Sequence, residues 1–483
     1  MNPRIVIRII SYLLLILGLF MLSAVGVALA CREYGVVSSF LFPVLGTWLA
    51  AALVLYVTRD TARSQPSFKD GFLFVSGGWA LAGLFGALPF VLSGAMPSFC
   101  DAYFETISGF TTTGASILTN IEALPRSILY WRSLTHWLGG MGIVVLTVAI
   151  LPLLGVGGLQ FVKAEAPGPT VDKITPRIAE TAKYLWYIYL GMTVAETLLL
   201  MFGGMNFLDA LTHSFGTVAT GGFSTMNTSV AHFDSAYIDW VITIFMVAAG
   251  MNFVLHFKLL TGNCRALFNN TELKAYLAIF GIATLLVAHD LHLTIYDSVA
   301  DAFRYASFQV ASILTTTGFA TADYEKWPNL AQGVLFLLMF IGGCSGSTGG
   351  GIKVIRIVAL FKQAFNEMRY LLHPKAVFPL RLSGQVMSKH IIYAISGFFF
   401  LYITILMLVT FLVSLAEIDL VSSLTAALAT VGNIGPGFGM VGPTKNYAHF
   451  PDAVKWILSF AMLAGRLELY TVLVIFTPTF WRS

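Results

Sequence analysis

Ten long apolar stretches constrain the fold of this chain more than any other feature of its sequence. They lie near residues 9–30, 36–57, 71–95, 130–154, 184–205, 237–260, 273–291, 329–361, 390–416 and 452–478. A helix needs about 20 mostly apolar residues to cross the hydrocarbon core of a membrane. Since 57% of the 483 residues are hydrophobic and only 11% are charged, the sequence predicts an all-α polytopic membrane protein with ten transmembrane helices.

The first apolar stretch admits two interpretations. Arg4 and Arg8 precede it, and it ends in Ala28-Leu29-Ala30-Cys31, a pattern similar to a cleavable signal. A signal sequence usually has a shorter apolar region, and here a second apolar stretch follows at once. We therefore expect a retained first transmembrane helix.

Four shorter, half-apolar segments alternate with the later stretches. They lie near residues 100–112, 208–220, 300–316 and 419–431, and each is followed by a stretch rich in glycine or threonine. Each is too short to cross the membrane. Non-helical backbone is tolerated at membrane depth only where protein or a water-filled cavity satisfies its polar groups. The sequence therefore predicts four re-entrant pore helices around a shared central cavity.

The unit of helix, pore helix, glycine-rich strand and helix recurs about every 100 residues, which identifies an internal repeat. It divides the chain into two extra N-terminal spans at 1–66 and four pore repeats at 67–182, 183–270, 271–385 and 386–483, the first of which ends in a cytoplasmic linker. An aspartate stands near the start of each pore helix, where we expect it to be the N-cap. These residues are Asp101, Asp209, Asp301 and Asp419.

Three residues of each glycine-rich strand are candidates for a cation filter. In chain order they are Thr112, Thr113 and Gly114; Thr220, Gly221 and Gly222; Thr316, Thr317 and Gly318; and Asn433, Ile434 and Gly435. The C-terminal ends of four pore helices would place partial negative charge in one cavity. Glycine lets the strand turn carbonyl oxygens toward an ion and replace its water shell. Glycine also serves close helix packing, but four strands in register favour the filter.

The strings SGFTTTG, from Ser108 to Gly114, and ILTTTGF, from Ile313 to Phe319, carry a resemblance to a known family. With these strings and its four repeats, the chain resembles the superfamily of potassium transporters that comprises TrkH, KtrB and plant and fungal relatives. The resemblance covers essentially the whole chain, and the two extra N-terminal spans are those of TrkH. Members of this superfamily that select potassium carry glycine at the last position of all four strands, as this chain does, so the resemblance implies that K⁺, and with it Rb⁺, binds in the filter. The fourth strand departs furthest from the family pattern.

The resemblance also implies partners. It implies a homodimer in the bacterial inner membrane, seated on a cytosolic ring of TrkA-like subunits that would carry NAD(H) or ATP/ADP. No nucleotide site is readable in this chain, so we expect it to hold no cofactor of its own apart from K⁺ in the filter. Membrane lipid is the remaining expected partner. A net charge of +4 without a basic tract interleaved with aromatics gives no support for nucleic-acid binding.

Lysine and arginine concentrate in one set of loops. The positive-inside rule places those loops, and with them both termini, in the cytoplasm. The basic loops around 157–183, 261–274 and 362–389 are the candidate docking surfaces. Positive-inside topology alone also accounts for these loops without any partner.

The eighth apolar stretch is interrupted by residues 342–351, GGCSGSTGGG, which we call the glycine loop. No helix continues unbroken through such a run. A broken helix at membrane depth usually lines a transport pathway, and in the family that the chain resembles the corresponding loop blocks the pore. The gate candidates are Gly343, Ser345, Gly346, Thr348, Gly349 and Gly350. A cytoplasmic hinge is the alternative, and a phosphate-binding loop is excluded because no Gly-Lys-Ser/Thr follows.

Arg466 lies midway along the last apolar stretch. Charges within the membrane are costly and point to function by default. A guanidinium that faced a cation pathway would raise an electrostatic barrier, and the family that the chain resembles has an arginine at the matching place. The alternative is a structural ion pair with an acidic residue of a neighbouring helix, since Glu468 points elsewhere on its own helix. We expect Arg466 to belong to the gate.

Two other classes of function are alternatives to potassium uptake. A proton- or sodium-coupled secondary transporter would use two inverted repeats and acidic residues at mid-membrane, whereas these four repeats run parallel and most acids stand at pore-helix starts. An intramembrane enzyme needs a catalytic dyad, and no Ser-His-Asp or Cys-His constellation is readable. The sequence therefore favours gated potassium uptake over an enzyme and leaves coupled transport as the alternative.

Overall fold

The computed structural model describes residues 2–61, 66–142 and 178–482 of the chain. Two long N-terminal helices come first, followed by the first repeat. Their bounds are α1 Pro3–Ala30, α2 Tyr34–Val57, α3 Phe68–Leu92, α4 Phe99–Phe110 and α5 Arg126–Gly140. The helices of the second repeat are α6 Ile178–Phe202, α7 Phe207–Val218, α8 Ala236–Ala249 and α9 Phe253–Leu260, and a short helix follows at α10 Arg265–Phe268.

The third and fourth repeats follow the same order. Their helices are α11 Thr271–Thr294, α12 Val299–Leu314, α13 Asn329–Leu338, α14 Val354–Leu372, α15 Lys389–Ser414, α16 Leu420–Val431, α17 Asp452–Arg466, α18 Leu469–Leu473 and α19 Pro478–Trp481. Between α14 and α15 lies a small antiparallel hairpin of β1 Arg381–Leu382 and β2 Gln385–Val386. Short turns of 3₁₀ helix lie at Arg59–Thr61, Ser229–Phe233, Tyr324–Lys326, Gly439–Val441 and Val474–Phe476.

The prediction of an all-α polytopic membrane protein is confirmed. Among the described residues, six helices are long and apolar enough to cross a membrane unbroken: α1, α2, α3, α6, α11 and α15. The predicted fourth stretch begins in α5 and continues into residues 143–154, outside the described part of the chain. The predicted eighth stretch is broken between α13 and α14, as the glycine loop led us to expect.

Two of the predicted spans are bent rather than straight. Helices α8 and α9 meet at 100°, and α17 meets the segment Leu469–Phe476 at 116°. At the first bend Asn252 begins a new helix, because its side chain accepts a hydrogen bond from the backbone N–H of Val254. At the second, Glu468 adopts a φ of +59°, in the left-handed region that ends a right-handed helix. Polar capping and left-handed backbone interrupt stretches that hydropathy reads as continuous.

The pore helices α4, α7, α12 and α16 are 12 to 16 residues long, too short to span a membrane. The expected aspartate N-cap occurs only in α16, where Asp419 accepts from the backbone N–H of Ser422 at 2.9 Å. In the other three the cap is the polar residue three positions earlier, and the aspartate is the third residue of the helix. These caps are Ser98, Asn206 and Ser298. An acid in the first turn interacts favourably with the positive end of the helix dipole.

In three of the four repeats, an outer helix packs on the pore helix of the next repeat in cyclic order. Helix α5 of the first repeat packs on the second pore helix α7, and α8 of the second packs on the third pore helix α12. Helix α17 of the fourth repeat packs on the first pore helix α4, which joins the end of the chain to its beginning. Helices α1 and α2 pack on each other and on α3. The pore helices therefore meet at one centre, where the chain continues as four strands.

Candidate functional site

The four strands share one backbone conformation. Two residues after each pore helix, a non-glycine residue lies in the left-handed region: Thr112, Thr220, Thr316 and Asn433, with φ of 51°, 55°, 60° and 53°. Two residues further on, a glycine does so: Gly114, Gly222, Gly318 and Gly435, with φ of 82°, 80°, 83° and 93°. Glycine adopts such φ values without the steric cost that a side chain brings.

The four glycines contact one another's strands in cyclic order. A Cβ atom on Gly114, Gly222, Gly318 or Gly435 would lie closer than 3.0 Å to a backbone carbonyl oxygen of the next strand. The four oxygens, in the same order, belong to Gly221, Thr317, Ile434 and Thr113. The fourth strand thus meets the first and closes a ring. The structure brings all twelve predicted filter residues together here, and we call residues 112–114, 220–222, 316–318 and 433–435 the filter ring.

The fourth strand compensates for its departure from the threonine pattern. In the first strand the hydroxyls of Thr111 and Thr113 lie 2.7 Å apart. The side chain of Asn433 donates to the Thr113 hydroxyl at 3.0 Å and to the Met462 carbonyl at 3.0 Å. Asn433 therefore joins the fourth strand to the first strand and to α17.

Polar side chains of the pore helices brace the strands from behind, a feature that the sequence analysis missed. Nine positions before their glycines, Glu105 accepts from the Ser116 hydroxyl at 2.9 Å and His213 lies 2.9 Å from the Ser224 hydroxyl. At the same offset Gln309 donates to Thr321 at 3.4 Å. The recurrence of a polar residue nine positions before the last glycine of the strand is the sequence signal that could have revealed these supporting side chains.

Arg132 adds a charged link behind the first two strands. Its Nε lies 2.6 Å from Oε1 of Glu105, and its Nη1 donates to the Ser224 carbonyl at 2.9 Å. The guanidinium lies 3.6 Å from the centre of the Phe223 ring, a distance at which a cation is attracted to the ring face. The sequence analysis gave Arg132 no role.

The glycine loop lies directly beneath the filter ring. The Thr348 hydroxyl donates to the Val218 carbonyl at 3.0 Å, at the C-terminal end of the second pore helix. The backbone N–H of Gly350 donates to the hydroxyl of Thr316 in the third strand at 2.6 Å. A Cβ on Gly349 would lie 3.0 Å from the Thr315 carbonyl. The loop therefore contacts the second and third repeats at the point where their strands begin.

The outer part of the loop is seated on the bend between α8 and α9. The Cys344 N–H donates to the Gly250 carbonyl at 2.8 Å, and the Gly346 carbonyl accepts from the Phe253 N–H at 2.9 Å. The Gly343 carbonyl accepts from the N–H of Val354, the first residue of α14, at 3.1 Å. The bend exposes backbone groups that a straight helix would have used internally, and the loop uses them.

Glu272, to which no sequence pattern assigned a role, joins the glycine loop to the start of α14. Its Oε1 accepts from the backbone N–H of Ser345 at 2.6 Å and from that of Ile355 at 3.1 Å. Glu272 stands in the first turn of α11 and is buried. One carboxylate oxygen thus binds the backbone of Ser345 and of Ile355, ten residues further along the chain, and holds this part of the loop close to the start of α14.

Cationic side chains surround the lower face of the loop. Arg466 donates from Nη1 to the Thr348 carbonyl at 2.7 Å and from Nη2 to the Gly139 and Gly140 carbonyls at 2.7 and 3.0 Å. Lys353 is buried, and its Nζ donates to the Gly349 carbonyl. Arg466 therefore connects the loop to the end of α5, so that the loop and its arginine reach the first three repeats together.

Glu468 forms an ion pair with Arg356, although Arg466 is only two residues away in sequence. Both of its carboxylate oxygens accept from Nη2 of Arg356, at 2.7 and 2.8 Å. The Arg356 guanidinium lies 4.0 Å from the centre of the Phe398 ring. This pair joins the start of α14, just after the glycine loop, to the bend that carries Arg466. All seven predicted gate residues lie in this one layer beneath the filter ring.

Comparisons with known proteins agree with this architecture. The family model described as TrkH, a cation transport protein, matches residues 44–483. The Trk system potassium uptake protein TrkH of Halomonas elongata is 42% identical over the full length of both chains, and that of Escherichia coli K12 is 43% identical over 90% of both. The crystal structure of the potassium transporter TrkH from Vibrio parahaemolyticus superposes over the whole of both chains with a TM-score of 0.89 at 38% identity.

Proposed function

The chain belongs to the TrkH family of cation transport proteins, and from this premise we propose that it takes up potassium ions across the bacterial inner membrane through the filter ring. The observation that carries the proposal is the closed ring of four strands, each ending in a left-handed glycine against the carbonyl of the next strand. Coupled transport is not favoured, since the relatives at 42 and 43% identity are named for potassium uptake.

Two physical effects select for a monovalent cation at this ring. The strands begin at the C-terminal ends of four pore helices, where each helix contributes about half a negative charge. Backbone carbonyls can replace the water shell of K⁺ without presenting the full charge of a carboxylate. Rb⁺, which is close to K⁺ in size, is expected to pass as well.

We propose that the glycine loop and Arg466 form the gate. The loop occupies the space beneath the filter ring, and its Gly350 N–H is bound to Thr316 of the ring itself. Arg466 and Lys353 place positive charge at the same level, which opposes the passage of a cation. The loop and Arg466 are joined at the Thr348 carbonyl, so opening either moves them away from the axis together or breaks this hydrogen bond.

Orientation and partners complete the proposal. Both termini face the cytoplasm, and the pore helices enter from outside, as the distribution of lysine and arginine predicts. The functional unit is a homodimer on a TrkA-like cytosolic ring that binds the nucleotide, which accords with relatives that are named as parts of a Trk system. The candidate docking loops 261–274 and 362–389 lie in the described part of the chain. Of the docking loop 157–183, residues 157–177 lie outside it.

Ion flux into liposomes that contain the purified chain tests the function. We expect uptake of K⁺ and Rb⁺ well above that of Na⁺ and Li⁺, with no need for an imposed proton gradient. Empty liposomes made from the same lipid are the control. Uptake that requires a proton gradient would favour the coupled transporter, and the absence of any K⁺ flux with or without one would reject the proposal.

A further inference from the structure

A buried ion pair lies directly behind the first and second strands of the filter ring. Glu105 is on the pore helix α4 and Arg132 is on α5, and Nε of Arg132 lies 2.6 Å from Oε1 of Glu105. Their side chains are 0% and 2% exposed. Charge-assisted hydrogen bonds of this length are among the strongest and most directional contacts in proteins.

Each partner holds a different strand. Glu105 accepts from the Ser116 hydroxyl at 2.9 Å and from the Ile117 N–H at 2.8 Å, just beyond the last filter residue of the first strand. Arg132 donates to the Ser224 carbonyl at 2.9 Å, at the corresponding place in the second strand. The ion pair is therefore the middle of a continuous chain of contacts from one strand to the next.

The other repeats brace their strands differently. His213 contacts Ser224 and Gln309 contacts Thr321, so each of these side chains binds the strand of its own repeat. Ala426 occupies the equivalent place in the fourth repeat and offers no polar side-chain atom. Among the described residues at this offset, Glu105 alone forms an ion pair. The charged cross-link thus holds one side of the ring.

The spacing between strands bears on which ion the ring accepts. On the snug-fit account of selectivity, a ring that can contract around the smaller Na⁺ loses its preference for K⁺. A buried ion pair contributes little to stability when compared with apolar residues of the same shape, and in some proteins buried polar groups of this kind instead specify one geometry.

We infer that the Glu105–Arg132 pair determines specificity, by fixing the distance between the first and second filter strands and keeping the ring at the size of K⁺. The inference rests on the proposed function, since it concerns the same filter ring. Neither residue contacts the ion, and both act by positioning backbone.

The test compares two variants with a matched control pair. In Glu105→Gln/Arg132→Gln both charges are removed, so no buried charge is left without a partner. Arg132→Lys keeps the charge and one donor to Glu105 but loses the planar fork that also reaches Ser224. The control is Asp239→Asn/Arg304→Gln, which removes a partly buried ion pair between α8 and α12 whose Nε and Oδ2 atoms are 3.6 Å apart. K⁺ and Na⁺ fluxes into liposomes and the thermal unfolding temperature are measured for each.

The ratio of K⁺ to Na⁺ flux decides the outcome. We expect it to fall about tenfold in the double variant, the factor that corresponds to about 1.4 kcal/mol of discrimination, and by a smaller factor in Arg132→Lys. The control pair is expected to keep the ratio of the unaltered protein even if it unfolds at a lower temperature. If the double variant keeps the ratio of the unaltered protein while its unfolding temperature shows that it is folded, or if K⁺ and Na⁺ fluxes decrease in the same proportion in Arg132→Lys, the inference is wrong. An unaltered protein without K⁺ flux would instead overturn the proposed function.

Discussion

The guanidinium of Arg466 donates a hydrogen bond of 2.7 Å to the backbone carbonyl of Thr348, and the Thr348 hydroxyl in turn donates to the Val218 carbonyl at the end of the second pore helix. The charge on α17 and the glycine loop are therefore one connected structure. If either one is displaced, the hydrogen bond between Arg466 and Thr348 must break, or the other must move with it. In the gate that we propose, loop and arginine are therefore two parts of a single barrier rather than two gates in series.

Replacing Arg466 with alanine is expected to increase K⁺ flux several-fold. The change removes a positive charge from the level of the gate and three hydrogen bonds that hold the loop against α5. Flux into liposomes at equal protein content is the measurement. Arg265→Ala, which removes an exposed positive charge from α10, is the control and should leave flux unchanged. A decrease in flux for Arg466→Ala with intact folding would reject its role as a barrier.

Replacing Gly114 with serine is expected to reduce the ratio of K⁺ to Na⁺ flux. The new side chain would collide with the Gly221 carbonyl of the neighbouring strand, so the ring must widen or distort. Gly94→Ser is the matched control, because Gly94 has a similar φ of +74° but nothing within 4 Å of an added Cβ. Both variants place a side chain at a positive φ, and only the first is expected to change the ion ratio. Equal ratios in the two variants would contradict the position of Gly114 in the filter.

Replacing Glu272 with glutamine is expected to loosen the glycine loop and increase basal flux. A neutral amide is a weaker acceptor than a carboxylate for the two N–H groups of Ser345 and Ile355. Glu33→Gln is the control, because Glu33 likewise accepts from two backbone N–H groups, those of Arg126 and Ser127, far from the loop in sequence. Both variants should be less stable to heat. Only Glu272→Gln should conduct more, and equal flux in the two would show that Glu272 does not hold the gate.

Replacing Thr316 with valine is expected to lower the free energy of unfolding by about 1–3 kcal/mol, the cost of leaving a buried N–H without its acceptor. The N–H concerned is that of Gly350 in the glycine loop, which Thr316 accepts at 2.6 Å. Thr112→Val is the control in the first strand: its φ is also positive, and within the described chain its buried hydroxyl makes no hydrogen bond. Thermal unfolding measures both. If Thr112→Val lowers the free energy of unfolding by the same amount, the hydrogen bond between Gly350 and Thr316 does not account for the loss in Thr316→Val.

Much of this architecture could be predicted because it depends on local chemistry. Pore helices appear as apolar segments too short to span, and the last residue of each strand is a glycine that adopts a left-handed φ against the carbonyl of the next strand, so hydropathy and the register of four glycines indicate both. The broken eighth span follows from the low helix propensity of a glycine-rich run. The domain boundaries rest on the same repeat and stay a prediction.

The contacts that hold the site together could not be predicted in the same way. Glu272 binds Ser345, and Arg356 binds Glu468, across long intervals of sequence. No periodicity links such partners, because the fold alone brings them together. The bend after Arg466 depends on a single left-handed residue, Glu468, whose conformation leaves no trace in hydropathy. Sequence patterns therefore indicated the strands and the loop that we propose as filter and gate, but not the polar network that positions them.

The most direct test of the central claim is to locate the ion itself. Crystals grown in Rb⁺ would reveal the ion by its anomalous scattering. We predict density on the axis of the filter ring, within coordination distance of carbonyl oxygens from all four strands, and none below the glycine loop while Arg466 remains bound to Thr348. Anomalous density away from the ring, or coordination by side-chain carboxylates instead of backbone carbonyls, would contradict the assignment of these strands as the potassium filter.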